Sequence, residues 1–206
     1  MDFKQFDGKM TRVTDQDGRM FTGIAQLLPS GYCLHVFGRE EEGLRIGIYV
    51  LFEDGIRKIE PLPDLAIIRA TETWQQAGAY YVRIQAMARK HHITLREEFD
   101  EHDGPDTKYI VVTDHDFPVA TARMYELDEY RMMIGRVVVL PEYRHQGIGT
   151  MVVNACEEWA DELNCFVAVV ESRENKVGFY KELDYEIRGE VEDGETFRTV
   201  RMEKEL

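Results

Sequence analysis

The clearest chemistry in the chain sits in the fifteen-residue stretch 136–150. Val137, Val138, Val139 and Leu140 make an apolar, strand-like run, Pro141 ends it, and Gly147 and Gly149 stand where a helical pattern begins. A helix N-terminus presents unpaired N–H groups and the positive end of the helix dipole, so it binds phosphate. Glycine at 147 and 149 lets the backbone approach an anion where a Cβ would obstruct it. Arg144 and His145 add charge at the mouth, Gln146 and Ile148 flank Gly147 as further candidates, and Thr150 offers a hydroxyl. No Lys-Ser/Thr pair follows the glycines, which excludes the P-loop. The lack of a Gly-x-Gly-x-x-Gly and of a following parallel βαβ unit argues against a dinucleotide fold.

Other reactive side chains have weaker claims. His91 and His92 are adjacent, so on a helix they point to different faces, and with His102 they make no ligand set. The three cysteines (Cys33, Cys156, Cys165) show no metal or redox spacing and no His/Asp partner that would make a nucleophile. Reduced thiols in a cytoplasm are the expectation.

Elements must hold the glycine loop in place, and their grammar changes along the chain. Before Pro61-Leu62-Pro63, short strand-like runs recur at 9–14, 19–28, 32–37, 44–52 and 56–60, the first two joined through Asp15-Gln16-Asp17-Gly18 as a hairpin. Five short strands in that space suit a small closed barrel. After residue 64 the reading is a strand at 65–70 and a helix at 72–91, where Trp74, Ala77, Tyr81, Ile84 and Met87 or Ala88 recur at helical spacing. An acidic connection follows at 97–106, then antiparallel strands at 108–113, 119–127 and 132–140. A helix at 147–163 carries Ile148, Met151, Val152, Ala155, Trp159 and Leu163 on one face. A buried strand at 165–170, a helix at 175–183 and a hairpin of 185–191 with 197–203 complete a mixed α/β domain. The expected boundaries are 1–63 and 64–206.

The chain has 206 residues, 44% hydrophobic and 31% charged, ordinary for a globular protein. No apolar run approaches the ~18–20 residues of a membrane span, and the N-terminal residues lack the pattern of a signal peptide. Net charge is −14, and most of that excess acidity falls after residue 63. Nucleic-acid binding neutralises phosphates with Lys and Arg, so a nucleic-acid partner is not expected.

The pattern strand–Pro-x-x-Arg-x-x-Gly-x-Gly–helix resembles the acetyl-CoA pyrophosphate loop of the GNAT-type N-acetyltransferases, with Arg144, Gly147 and Gly149 matching position for position. Val177 to Tyr185 is similar to that family's Phe-Tyr-x-x-Leu-Gly-Phe element, with Asp184 in place of its glycine. Gly135-Arg136-Val137 and the acidic Phe99-to-Gly104 segment resemble the ElaA-like branch. The resemblance spans about residues 65–206 and implies a mixed, mostly antiparallel sheet flanked by helices (class α/β, or α+β). Residues 1–63 resemble the Sm-like/SH3-like barrels, most in 13–23 and 56–60; the RNA-binding element of Sm proteins is missing, so only the barrel is carried over.

The family resemblance implies an enzyme that moves acetyl from acetyl-CoA directly to an amine of a small molecule or peptide. Pantetheine would lie along the splayed edge formed by Val137, Val138 and Val139, with a backbone N–H near Val139 polarising the carbonyl. Tyr180 would protonate the departing sulfur, and Phe179 would line the cofactor. Arg173 stands where many relatives carry an Asn or Gln that contacts the cofactor. Glu171, ending the buried strand, and Glu126, on the acceptor side in the resembling fold, are the candidates for the base. The acidic residues Asp100, Glu101, Asp103 and Asp106 favour a cationic amine. The rival expectation is a catalytically weak acyl-CoA-binding regulator or scaffold, with the barrel recruiting protein or assembling a homodimer.

Overall fold

The computed structural model describes residues 1–104, 107–193 and 197–206. Two sheets organise it. The first contains β1 (Met10–Asp15), β2 (Met20–Leu28), β3 (Gly43–Ile46), β4 (Tyr49–Leu51) and β5 (Ile56–Pro61), in the order β4-β3-β2-β1-β5. The Asp15–Gly18 hairpin forms as expected: Arg19 N–H donates to the Asp15 carboxylate at 2.8 Å, and Gly18 takes φ 85°.

Two expectations for this part are corrected. Residues 32–37 are not a strand but belong to helix α1 (Ser30–Phe37), which starts after Pro29 and stops at Gly38, φ 69°, whose N–H reaches Cys33 and Leu34 carbonyls. Only Cys33 of α1 is buried, so its apolar residues carried no usable periodicity. Residues 44–52 are not one strand, because Gly47, φ 56°, folds them into the β3–β4 hairpin. No ladder joins β4 to β5 among the described residues, so hydrogen bonding does not close the sheet into a barrel. Its core is Phe3, Phe6, Val13, Ala25, Leu44, Ile46 and Ile56.

The second sheet is built of β6 (Leu65–Arg69), β7 (Lys108–Asp114), β8 (Phe117–Glu126), β9 (Arg131–Val139), β10 (Val167–Arg173), β11 (Glu186–Asp193) and β12 (Arg198–Glu205). Its order is β11-β12-β10-β9-β8-β7-β6, antiparallel except between β9 and β10. This is the mixed, mostly antiparallel sheet expected. One face is covered by α2 (Thr73–Arg83), which runs on through a π-helical stretch, Ile84–Ala88, into α3 (Arg89–His91). A short α4 (Leu95–Glu98) follows. The other face carries α5 (Ile148–Glu162), and α6 (Val177–Lys181) lies between β10 and β11.

The α5 face holds the main core, including Met124, Ile134, Val152, Cys156 and Leu183. The α2 face is different from the stripe read in the sequence. Trp74 and Tyr81 are exposed, and Ala79, Val82, Arg83 and Ala86 are buried instead. Small residues let α2 lie close to the sheet; a Cβ on Gly78 would stand 3.2 Å from Pro118. No helix of the described residues is long and apolar enough to cross a membrane.

Candidate active site

The parallel pair β9–β10 opens part-way along. Val167, Ala168 and Val169 pair with Arg131, Met132 and Met133, and beyond that the two strands run on without a ladder to Val139 and Arg173. A bulge bends β9 at the opening: Thr121 pairs with Val138 and Arg123 with Gly135, so Arg136 and Val137 together oppose one residue of β8. Arg136 takes φ 51°, the cost of that bend. Val138 turns to the α2 side, whereas Val137 and Val139 pack toward the α5 side. The result is a wedge-shaped cleft with unpaired strand edges on both walls.

The glycine loop closes the wide end. Pro141–Tyr143 makes one 3-10 turn, Arg144 Nε donates to the Val139 carbonyl at 2.9 Å, and His145 and Gly147 take φ 58° and 78°. Helix α5 begins at Ile148, whose side chain is core. Among the described residues, the N–H groups of His145, Gln146, Gly147, Ile148, Gly149 and Thr150 have no hydrogen-bond partner in the protein. Unpaired N–H groups at a helix start form an anion cradle.

The two glycines have different physical reasons. A Cβ on Gly147 would stand 2.7 Å from the Met20 carbonyl and 2.8 Å from Thr22 N, so β2 fills the space on that side. On Gly149 it would meet Phe179 at 3.5 Å and Val139 at 3.9 Å, ordinary contacts.

Cations converge on the cleft although the chain as a whole is acidic. Burial holds the Arg173 guanidinium below its usual range; the charge of Glu98 opposes this, and the neighbouring charges of Arg136 and Arg144 add to it. His91 is lowered by burial and then by Arg173, Lys90 and Arg144. Arg173 lies over the Phe197 ring, 3.5 Å from its centroid, with Nη2 3.0 Å from Met87 Sδ. Neither Arg144 nor Arg173 is ion-paired with a carboxylate among the described residues. Mutually repelling arginines suit a multiply charged anion.

Tyr180 on α6 is buried, its ring 5.0 Å from Phe179 and 5.5 Å from Tyr185. Burial raises its pKa well above the usual value, the neighbouring Cys156 adds to this, and Arg173 opposes it. Its hydroxyl makes no hydrogen bond among the described residues, yet it is not one of the sealed, unpartnered polar atoms. It is a protonated donor with a free direction.

The two candidate bases are not brought together. Along β10, Ala168 and Val170 face α5, so Glu171 faces α2, where its charge reaches Tyr125. Along β8, Ala122 and Met124 face α5, so Glu126 does too, at the end where β9 and β10 still pair. It is ion-paired with Lys108 at 3.3 Å. The same α2 face carries a pair the sequence did not reveal: His102 stacks on Tyr125, centroids 4.0 Å apart and planes 5° from parallel.

The acidic segment is not a free cation trap. Asp103 accepts from Arg83, Arg123 and Tyr109, and Asp100 accepts from Arg123 and Arg136. Arg83 has no exposed surface, and Glu98 and Asp103 are buried beside it. These carboxylates neutralise arginines that hold this loop against the sheet, so Asp100 and Asp103 are not the free charges for an acceptor that the sequence reading took them to be. Glu101 is exposed, and Asp106 lies outside the described residues.

These features agree with comparisons to known proteins. The solved structure from Lactobacillus plantarum that carries an N-acetyltransferase name is 26% identical, covers 69% of this chain and 98% of its own, and superposes with a TM-score of 0.66. Escherichia coli ElaA shares the fold at 18% identity, 68% and 98% coverage and a TM-score of 0.59. The uncharacterized N-acetyltransferase YjcF of Bacillus subtilis (strain 168) is 29% identical over 127 residues, 62% of this chain and 89% of that protein. The model of the acetyltransferase (GNAT) family matches residues 68–185, which take in the opened β9–β10 pair, the glycine loop and Tyr180, and the chain belongs to that family.

Proposed function

We propose that the chain is an acetyl-CoA-dependent N-acetyltransferase, with residues 64–206 carrying the chemistry and 1–63 a separate unit joined to them. One observation carries the reading: an opened strand pair leads directly into a row of unpartnered N–H groups ringed by unpaired arginines, inside a chain of net charge −14. That cradle fits a pyrophosphate, with Arg144 and Arg173 supplying countercharge. A solved structure from Elizabethkingia anophelis with the same fold has acetyl-CoA bound; it is 14% identical, covers 69% of this chain and 99% of its own, and superposes with a TM-score of 0.54.

In this reading the free edge of β9 from Val137 to Val139 lines the thioester arm, and a backbone N–H near Val139 stabilises the oxyanion that forms as the amine attacks. The C–N bond forms, the C–S bond breaks, and Tyr180 gives its proton to the departing sulfur. Glu171 takes the proton released by the amine nitrogen, directly or through water. Glu126, facing the opposite side of the sheet, has no part in this scheme. The acceptor is an amine approaching from the α2 side, past Tyr125 and His102.

Tyr180→Phe tests the assignment. Turnover should fall tenfold or more while acetyl-CoA affinity stays within about twofold. Undiminished turnover in this variant refutes the role. Acetyl-CoA binding without transfer to any amine in the wild-type chain would favour an acyl-CoA-binding regulator.

A further inference from the structure

The family model begins at residue 68, so the five-stranded sheet lies outside it, yet that sheet touches the glycine loop itself. Thr22 Oγ1 donates to the Gln146 carbonyl, and Arg12 Nη2 donates to the Gln146 side-chain oxygen at 2.8 Å. Gln146 Nε2 in turn donates to the Glu142 carbonyl at 2.9 Å, fixing both sides of the turn. The β2 backbone occupies the place of the missing Gly147 Cβ. Thr22 is buried, and the Arg12 side chain is 16% exposed, so these are enclosed contacts.

We propose that the N-terminal sheet sets the geometry of the cofactor loop, with Thr22 and Arg12 as positioning residues for pyrophosphate binding. In a trans peptide the C=O and the following N–H point in opposite directions. Holding the Gln146 carbonyl toward β2 therefore aims the Gly147 N–H away from β2, to the open side of the loop. Thr22 thus fixes the direction of one cradle donor without touching the ligand. The inference rests on the acetyl-CoA reading of the loop.

Calorimetric titration of the full chain tests it with two donors: acetyl-CoA, and S-acetylpantetheine, which lacks the pyrophosphate. Thr22→Val, nearly isosteric, and Arg12→Met should each weaken acetyl-CoA binding about three- to tenfold, the scale of one lost hydrogen bond. Thr22→Ser should restore it, and S-acetylpantetheine affinity should not change. Wild-type binding with both variants unaltered overturns this inference alone, as does equal weakening of both donors. Failure of the wild-type chain to bind acetyl-CoA overturns the acetyltransferase reading and this inference with it.

Discussion

Adding one methyl group to each glycine of the loop should move stability in opposite directions. At Gly147, φ 78° places any L-residue in the left-handed region, at about 1–2 kcal/mol. The new Cβ would also press on the Met20 carbonyl at 2.7 Å and Thr22 N at 2.8 Å. Both are backbone atoms of β2, so relief requires the sheet or the loop to shift, at about 1–3 kcal/mol. Gly147→Ala should therefore cost about 2–5 kcal/mol, or roughly 4–20 °C in Tm for a chain of this size. Gly149 lies inside the first turn of α5 with no positive φ, and its Cβ would make only ordinary contacts. Gly149→Ala should gain up to about 1 kcal/mol from helix propensity. Scanning calorimetry of the two variants reads the contrast. Equal Tm values for Gly147→Ala and Gly149→Ala would refute the packing of β2 on the loop.

Two further predictions concern charge. Glu171→Gln should lower kcat, whereas Glu126→Gln should leave it as it is; a loss confined to Glu126→Gln would reverse the assignment of the base. The ion-pair cluster behind the site makes stability pH-dependent. Burial works against Asp103, but hydrogen bonds from Arg83 and Tyr109 prevail and hold its pKa well below the usual carboxylate value; Asp100 is depressed likewise by Arg123. A depressed folded pKa gives stability that is fully present above the unfolded value of about 3.9 and is lost as pH falls toward the folded one. Asp103→Asn leaves Arg83 buried with one charge partner fewer, at about 3–5 kcal/mol near neutrality. The Tm gap to wild type should narrow as the buffer is taken from pH 6 to pH 3, and a constant gap would contradict the cluster's electrostatic role.

Local signals carried much of this architecture. The apolar run into Pro141 and the glycine pair located the loop, and the spacing of Ile148, Met151, Val152 and Ala155 located α5 and its inner face. What escaped was what depends on distant partners. Arg83 sits in a helical pattern as a surface arginine would, and only Glu98 and Asp103 explain why it is buried. Alternation along β8 and β10 assigns relative faces within each strand, but which faces coincide depends on register between strands far apart in sequence, so Glu126 and Glu171 read alike. The α1 helix was hidden because its aromatic and β-branched residues favour strands, while its terminators, Pro29 and Gly38, also suit strand ends. The contact of Thr22 with Gln146 spans 124 residues and leaves no local pattern at all.

The central claim is that the cleft and its glycine loop bind acetyl-CoA, and a thermal melt with and without that ligand tests it without knowledge of the acceptor. Ligand at ~100 times its Kd should add about 2.7 kcal/mol, a rise of roughly 5–11 °C in Tm. An adenine dinucleotide at the same concentration should produce none. No shift at millimolar acetyl-CoA, or an equal shift with both compounds, would contradict the account.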